Sequence, residues 1–307
     1  MTKPLHSMAG YLRSLQISRY QLFVFVEGID ADPFFFGEVC RVACQGRAIH
    51  YRVRPAKELP QAAGGKLALI AFYRLAKSRG KLRFTLGGKT TVLMFYLDKD
   101  VDDLMHRLCR SRHICYTQYY DVQNHIFRHA DLIRGIASAA SVDPVELEEI
   151  PQFDTNWCES AARRWKDWIV LCLIGVRHGV PGPNYRVLSQ VNSPLNGPVD
   201  SARYQAMKTQ FAGHLGLNPI EIDRKIKLTA ERVDKCLSGG TFDYVFKGKW
   251  YASILEADLR VAFAGRAVQF DRFANRVPAA LAATLNFSEP WAKRFVGPLE
   301  RLLEEAF

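Results

Sequence analysis

Long hydrophobic runs are missing from this sequence of 307 residues. The longest apolar run, residues 168–176, is far shorter than the ~20 residues that a membrane-spanning helix needs. Residues 1–10 lack the apolar core and the cleavage site of a secretory signal peptide. We therefore expect a cytoplasmic protein that has no membrane partner.

Cysteine is sparse, and the seven cysteines form an odd and widely scattered set. Such a set does not indicate a disulfide framework, and most of these cysteines are expected to be small core residues. A zinc site built from His106, Cys109, His113 and Cys115 was considered, but their spacing matches no standard zinc knuckle. A position at the start of a strand is the favoured interpretation of His113 and Cys115.

A complete phosphate-binding P-loop is also missing. Residues 87–90 (GGKT) resemble the end of one, but Arg83 occupies the position of the upstream glycine. The segment also precedes a predicted strand, whereas a P-loop follows a strand and opens a helix. Residues 64–66 (GGK) lack Ser or Thr after the lysine. We expect no ATPase activity in this chain, and a lysine on a turn is the favoured interpretation of Lys89.

Positive charge dominates: 42 lysines and arginines exceed 31 acidic residues, which gives a net charge of +11. A basic surface attracts polyanions, so nucleic acid is the first partner to consider. Three clusters mix cations with aromatic or apolar residues, as surfaces that bind phosphates and unpaired bases do. They are residues 163–166 (RRWK), 224–227 (RKIK) and 247–250 (KGKW). Solvated helix faces beside buried tryptophans are the alternative interpretation.

The N-terminal part alternates short apolar runs with helical patterns, which predicts right-handed crossovers and a mostly parallel sheet flanked by helices. Residues 22–26 (LFVFV) are too short for a helix and are typical of a strand buried on both faces. The predicted strands are 22–26, 48–53, 91–97 and 114–120, and the predicted helices are 34–44, 67–79 and 101–110. The fold class is therefore α/β.

The C-terminal part is predicted to be mainly helical. Asp143 is expected to cap a helix, and residues 156–176 are expected to form one long helix. Residues 179–198, with four prolines, are predicted to be a loop, and further helices are predicted within 201–237. We expect a catalytic α/β domain at residues 1–130 and a mainly helical lobe at residues 131–307.

Three acids follow predicted strands: Glu27 ends the first, and Asp98 and Asp100 end the third. The carboxyl ends of parallel strands meet at one edge of a sheet, so these carboxylates are expected to converge. A divalent cation removes their mutual repulsion, and an all-oxygen set suits Mg²⁺, with Mn²⁺ as a substitute. Asp32 and Asp102 are further metal-ligand candidates. The alternative is that each acid is only a helix N-cap.

The segments FVFVEG at residues 23–28 and LDKD at residues 97–100 resemble the Toprim domain, which topoisomerases, bacterial primases and overcoming-lysogenization-defect nucleases share. GGK at residues 64–66, YYDVQNH at 119–125 and GKW at 248–250 narrow the resemblance to the DUF4435 group of Toprim proteins. That group includes the nuclease effector of the PARIS anti-phage defence system. The resemblance covers residues 20–130 well and the rest of the chain only loosely.

The resemblance implies that Glu27 is the catalytic acid or base and that Asp98 and Asp100 bind the metal. It also implies an ABC-type ATPase partner that holds the effector until a phage protein is sensed. The released form is expected to dimerise, because isologous dimers are the commonest assembly. The sequence departs from the family at Gln123, where many relatives carry Glu, and Asp121 is a nearby carboxylate. The lysines expected to contact substrate are Lys66, Lys99, Lys247 and Lys249.

Two functional hypotheses follow. The first is a Mg²⁺-dependent nuclease that cuts phosphodiester bonds, with RNA, including transfer RNA, favoured over DNA by the resemblance. The second is a non-catalytic, Toprim-like regulatory subunit bound to an ATPase. Strand transfer, as in topoisomerases, would need a nucleophilic tyrosine in a separate DNA-binding domain, and the sequence indicates no such module.

Overall fold

The computed structural model describes residues 7–60, 65–150, 153, 156–266, 268 and 270–307. The chain forms two compact units that are built from non-contiguous segments. The sheet unit comprises Met1–Lys99, Arg107–Gln118 and Leu285–Phe307, and the helical unit comprises Asp100–His106 and Tyr119–Thr284. The last segment thus joins the sheet unit, whereas residues 119–130 join the helical unit, a division that differs from a single boundary at residue 130.

The predicted α/β fold is confirmed. The sheet consists of β1 (Leu22–Val26), β2 (Tyr51–Pro55), β3 (Arg83–Leu86), β4 (Lys89–Leu97) and β5 (Ile114–Tyr116). The strand order is β2-β1-β4-β3, and β5 pairs with β4 beyond the end of β3. All pairs are parallel except β3–β4. Every residue of β1 is buried, as its continuous apolar run predicted.

Helices cover both faces of the sheet. They are α1 (Met8–Ile17), α2 (Asp32–Ala43), α3 (Gly65–Ser78) and α13 (Lys293–Glu304). On one face, Phe23 and Phe25 pack with residues of α1 and α3 in a single apolar cluster. On the other face, Phe36 of α2 stacks on Tyr96 of β4 with ring centroids 4.3 Å apart. The alternation of side chains along each strand thus supplies two cores.

The segment that resembles a P-loop is a hairpin turn. Gly87 and Gly88 both have positive φ, at 57° and 76°, and they connect the antiparallel strands β3 and β4. Two successive positive φ values are typical of a tight hairpin turn, and glycine adopts them without strain. Lys89 is the first residue of β4, so the segment joins two strands and opens no helix. Strand β3 is not among the predicted strands, whereas the predicted turn beside Lys89 is the Gly87-Gly88 turn of this hairpin.

The predicted helix at residues 101–110 is wrong. Residues 101–106 form turns in which successive backbone bonds join residues three apart, such as Met105 N–H to the Asp102 carbonyl. The Asp103 carboxylate accepts the N–H of Leu104 at 2.8 Å, and His106 has a φ of 54°. Local side-chain bonds and a left-handed residue both oppose helix propagation. Strand β5 is also shorter than predicted, since it ends at Tyr116.

The helical unit contains α4 to α12. Their bounds are α4 Val122–His129, α5 Leu132–Ala140, α6 Pro144–Glu148, α7 Trp157–Arg164, α8 Lys166–His178, α9 Ser201–Leu215, α10 Pro219–Ser238, α11 Tyr251–Ala262 and α12 Phe273–Ala282. Asp143 caps α6 as predicted, with its carboxylate accepting the N–H of Val145. The long helix predicted at 156–176 is divided at Trp165, which is fully buried and donates its indole N–H to the Leu195 carbonyl. Within the described residues, no helix is both long and apolar enough to cross a bilayer.

Helix α13 is fastened to the sheet next to its internal proline. Pro298 has no N–H, so the carbonyl of Arg294, four residues earlier, loses its helical donor. The Cys115 thiol lies 3.7 Å from this oxygen, and the Tyr96 hydroxyl donates to the next carbonyl, that of Phe295, at 2.8 Å. Burial raises the pKa of Tyr96 well above its usual value, so its phenol remains a donor.

Replacement of Tyr96 by Phe tests this attachment. Tyr96→Phe removes a buried donor and should lower the free energy of unfolding by about 1 kcal/mol, measured by urea denaturation. Thr85→Val is the control, because it removes a hydroxyl whose hydrogen bond to Thr90 is exposed. Equal unfolding midpoints for Tyr96→Phe and the parent would show that this bond does not stabilise the sheet unit.

Candidate active site at the end of the sheet

The strand order creates a switch point between β1 and β4. These strands are parallel neighbours, but the chain runs from β1 to β2 on one side and from β4 to β5 on the other. Loops that leave neighbouring strands in opposite directions open a crevice at their carboxyl ends, where open α/β sheets bind ligands. Glu27 directly follows β1 and Asp98 directly follows β4. Both residues therefore lie at this crevice.

A hydrogen bond brings Glu27 and Asp98 together. The backbone N–H of Asp98 donates to Oε1 of Glu27 at 2.8 Å. Glu27 is half-buried, whereas Asp98 is only 5% exposed. The structure thus brings the Glu27 side chain to the Asp98 backbone, whereas the convergence of the two carboxylates stays a prediction. A carboxylate has several acceptor positions, so this bond leaves Glu27 chemically able to accept more.

Asp32 closes the same end of β1. Its Oδ2 accepts the N–H of Gly28 at 2.7 Å, and its side chain is buried. A Cβ at position 28 would lie 2.6 Å from Oδ1 of Asp32, so only glycine allows this approach. Asp32 is also the first residue of α2, where its negative charge favours the helix dipole. Asp32 is therefore not the N-cap of α2, which is Ala31, and its carboxylate instead holds Gly28, the residue that follows Glu27.

The donor chemistry at this edge suits Mg²⁺. Glu27 and Asp98 supply carboxylate oxygens, and Mg²⁺ is commonly bound through one or two carboxylates, with waters and substrate phosphates completing its shell. No group of three His, Cys, Asp or Glu side chains that could hold a metal is gathered within the described parts of the chain. Glu27 and Asp98 are the residues that would hold Mg²⁺ here, with waters and substrate phosphates completing its shell, and the metal site stays a prediction.

Asp100 and Asp102 belong to the helical unit. Asp100 has a φ of 51°, and its N–H donates to the carbonyl of Tyr120 at 2.7 Å. Asp102 is half-buried in the turns of residues 101–106, where its carbonyl accepts the N–H of Met105. Their predicted roles as metal ligands stay predictions.

The four predicted substrate lysines lie in different settings. Lys66 is in the first turn of α3, and Lys99 donates from Nζ to the Gln118 carbonyl at 3.1 Å. The N–H of Lys99 is also held by the buried Thr117 hydroxyl at 2.8 Å, a contact that the sequence did not indicate. Nζ of Lys247 donates to the Tyr185 carbonyl at 2.7 Å, whereas the Lys249 side chain is exposed. Their roles in substrate binding stay predictions, and Gly64 lies outside the described residues.

The motif at residues 119–125 forms a buried polar network within the helical unit. Asn124, which is fully buried, donates to Oδ1 of Asp243 at 2.9 Å and to the Phe246 carbonyl at 3.1 Å. Its Oδ1 accepts the N–H groups of Asp121 and Gly248. Asp121 in turn caps α4 by accepting the N–H of Asn124. This part of the motif therefore fastens α4 to the segment around residues 243–248.

Asp243 is the centre of that network, and it is not among the residues predicted to be functional. Its carboxylate accepts hydrogen bonds from Asn124, Arg128 and Tyr251. Burial raises the pKa of Asp243, while the bonds from Arg128 and Asn124 act in the opposite direction. The separation of 119 residues between Asn124 and Asp243 explains why no local pattern revealed the pair. Gln123, the family departure, is buried here, and its Oε1 has no hydrogen-bond partner among the described residues.

Comparison with known proteins gives no assignment: no family model and no curated protein matches the sequence. The Toprim resemblance therefore stays a prediction that depends on the residues quoted for it.

The close approach of Gly28 to Asp32 can be tested by adding one methyl group. Gly28→Ala places a Cβ against the Asp32 carboxylate and should lower the free energy of unfolding by about 1–3 kcal/mol. Gly37→Ala is the matched control, because nothing lies within 4 Å of its Cβ inside α2. That control should stabilise the protein by up to about 1 kcal/mol. A neutral Gly28→Ala would contradict the described packing.

Gly248 gives a second test, in the helical unit. A Cβ at this position would lie 2.3 Å from the Asn124 backbone nitrogen, which cannot rotate away. Gly248→Ala should therefore lower the thermal unfolding midpoint by several degrees, since a clash of this kind costs about 1–3 kcal/mol or more. Gly213→Ala in α9 meets nothing within 4 Å and should not lower it. Equal unfolding midpoints for the two variants would show that the close approach of Gly248 to Asn124 does not contribute to stability.

Proposed function

We propose that the protein is a Mg²⁺-dependent nuclease that hydrolyses phosphodiester bonds, with RNA, including transfer RNA, as the favoured substrate. The observation that supports this function is the pairing of Glu27 with Asp98 at the switch point of the sheet. In keeping with the resemblance, we propose that it acts in the cytoplasm as a toxin-like effector of antiviral defence. An ABC-type ATPase partner and a homodimeric released form are parts of the same proposal.

Each proposed role follows from the position of a side chain. Glu27 is held at the end of a fully buried strand and oriented by the N–H of Asp98, so its carboxylate is preorganised to accept a proton from the attacking water. Asp98 is nearly buried, so its side chain is largely shielded from bulk water. A bound Mg²⁺ would supply Lewis-acid activation of a phosphoryl oxygen.

Two tyrosines of the resembling motif, Tyr119 and Tyr120, are poor candidates for the nucleophile of strand transfer. Strand transfer needs a phenol that is activated as a nucleophile. Tyr119 and Tyr120 are both buried. Burial raises the pKa of Tyr119, and it raises that of Tyr120 well above the usual value, with the negative charge of Asp100 adding to the shift. Neither tyrosine is therefore suited to attack phosphorus.

One observation is compatible with the non-catalytic alternative. Asn124 belongs to the motif that carries part of the family resemblance, yet it is fully buried and joins α4 to Asp243 and Gly248. Such a residue supports the fold and cannot contact substrate. A regulatory subunit that binds an ATPase would retain this network and would lack cleavage activity under all conditions. Its test is the absence of cleavage together with stable copurification with an ATPase.

Isosteric substitutions test the nuclease directly. Glu27→Gln keeps an oxygen that can accept the Asp98 N–H but removes the charge, and Asp98→Asn does the same for the second acid. Purified protein is incubated with RNA and DNA pools, with Mg²⁺ or with a chelator. We expect the parent to cut only with Mg²⁺ and each variant to lose at least about 100-fold in rate, as loss of a general base does.

The matched control is Glu38→Gln, which removes one carboxylate charge from the exposed side of α2. It should cut like the parent, and thermal melting should show that all variants are folded. Mg²⁺-dependent cleavage that persists unchanged in both Glu27→Gln and Asp98→Asn would place the active site elsewhere. No cleavage of any pool by the parent, with or without its partner, would favour the regulatory alternative.

A further inference from the structure

The helical unit contains an open groove of about 970 Å³. Its walls are the C-terminal end of α8, one face of α10 and the turns at residues 103–106, and residues 241–245 complete it. This volume lies in the range of pockets that hold a small organic ligand. Among the basic clusters of the sequence, the one at residues 224–227 contributes to it through Lys225.

A single stripe of α10 faces the groove. The lining residues of this helix recur at intervals of three and four, which places them on one side of an α-helix. They include Lys225, Leu228, Thr229, Arg232, Val233 and Cys236. Cations and apolar side chains thus alternate along the stripe, and the rise of ~1.5 Å per residue separates Lys225 from Arg232 by roughly 10 Å along the axis.

The groove is positively charged. Lys225 and Arg232 are joined by Arg177 from the last turn of α8, and the imidazole of His178 lies beside Lys225. Burial and the positive charges of Lys225 and Arg177 lower the pKa of His178. Asp103 is the one acidic side chain among the described lining residues. Since Arg177 and His178 also offset the dipole of α8, the cations of α10 carry the stronger argument.

The cations of the groove differ from those of the cluster at residues 163–166 in their ion pairing. Arg163 pairs with Glu159, Arg164 with Asp258 and Lys166 with Asp234. By contrast, Arg177, Lys225 and Arg232 form no ion pair with an acidic side chain in the described part of the chain. Trp165 and Trp250, the aromatic residues of the other clusters, are buried. The groove therefore holds cations whose charge is not already neutralised by the fold.

The floor of the groove is apolar. Leu173, Ile174 and Val233 line it, and Leu228 lies between the two α10 cations with 53% of its surface exposed. A solvated cationic face would not require an apolar floor between its charges. An occupant that places anions at the rim and flat apolar surface at the floor complements both features.

We propose that this groove binds single-stranded nucleic acid, with phosphates against Lys225 and Arg232 and unpaired bases against the apolar floor. Unpaired bases expose their flat faces, whereas a duplex keeps them stacked inside and would leave the floor unused. The choice of nucleic acid as occupant rests on the proposed nuclease function. The groove would then be the strand-binding surface of the helical unit.

Binding is measured by fluorescence anisotropy with a labelled single-stranded oligoribonucleotide and the full chain, in a chelating buffer that prevents Mg²⁺-dependent cleavage. Lys225→Gln/Arg232→Gln should weaken binding roughly 10- to 30-fold at about 0.1 M salt, because two phosphate contacts contribute a slope of about 1.4 in log K against log salt. The slope should flatten by that amount. Arg224→Gln/Lys227→Gln is the matched control, since it removes the same charge from residues of α10 outside the groove.

The floor is tested separately with Leu228→Ser. This variant should weaken binding of the single strand severalfold without changing the salt slope, since stacking depends little on salt. Ile220→Ser, on α10 but outside the groove, is its control and is 81% exposed in the parent. Equal losses in both charge variants, or tighter binding of duplex RNA or of phosphatidylglycerol vesicles with the same residue dependence, would overturn the proposal. If Lys225→Gln/Arg232→Gln leaves binding unchanged and Glu27-dependent cleavage persists, the nuclease proposal holds and the groove proposal is wrong. If the groove residues are needed for binding but the protein cuts no nucleic acid, the groove proposal holds and the nuclease proposal is wrong.

Discussion

The hydrogen bond from the Asp98 N–H to the Glu27 carboxylate joins the ends of two neighbouring parallel strands. It can form only because β1 and β4 lie in register, with Phe25 opposite Phe95, so that the residues after each strand are adjacent. That register depends in turn on apolar side chains on both faces of the sheet, which a slip of one residue would exchange. The position of the candidate site is therefore a consequence of the packing of the strands that precede it.

The strands and the helices nearest to them could be predicted because their signals are local. β1 occupies 22–26 as its apolar run indicated, and β4 contains the whole of 91–97. The two helix predictions that are wrong lie where local interactions compete with a continuous helix. Asp103 and His106 interrupt the helical pattern of 101–110, and the predicted long helix is divided at Trp165, whose buried indole donates to the Leu195 carbonyl. A hydrophobic pattern reports which residues are buried, but it does not report which backbone groups find a better partner elsewhere.

The candidate site was predictable to the same limited extent. The strand ends identified Glu27 and Asp98, and the structure brings them together. The motif around Asn124 was informative in another way, because its partner Asp243 is distant in the chain and is revealed only by the fold. A buried amide with each of its polar atoms bonded specifies one arrangement of α4 and the segment near Gly248. A residue that belongs to a functional motif by resemblance can therefore be fixed for structural reasons.

The net charge of +11 indicates a binding surface only where cations are not already paired within the fold. Arg164 is committed to Asp258, and Lys247 is committed to the Tyr185 carbonyl, so these cations stabilise contacts inside the helical unit. Exposed ion pairs add little stability, but each one cancels charge that a polyanion would otherwise meet. The groove of α10 keeps Lys225 and Arg232 uncancelled on either side of an exposed leucine. The groove is one surface on which this charge stays available, and an unpaired strand is its proposed occupant because unpaired bases can reach the apolar floor.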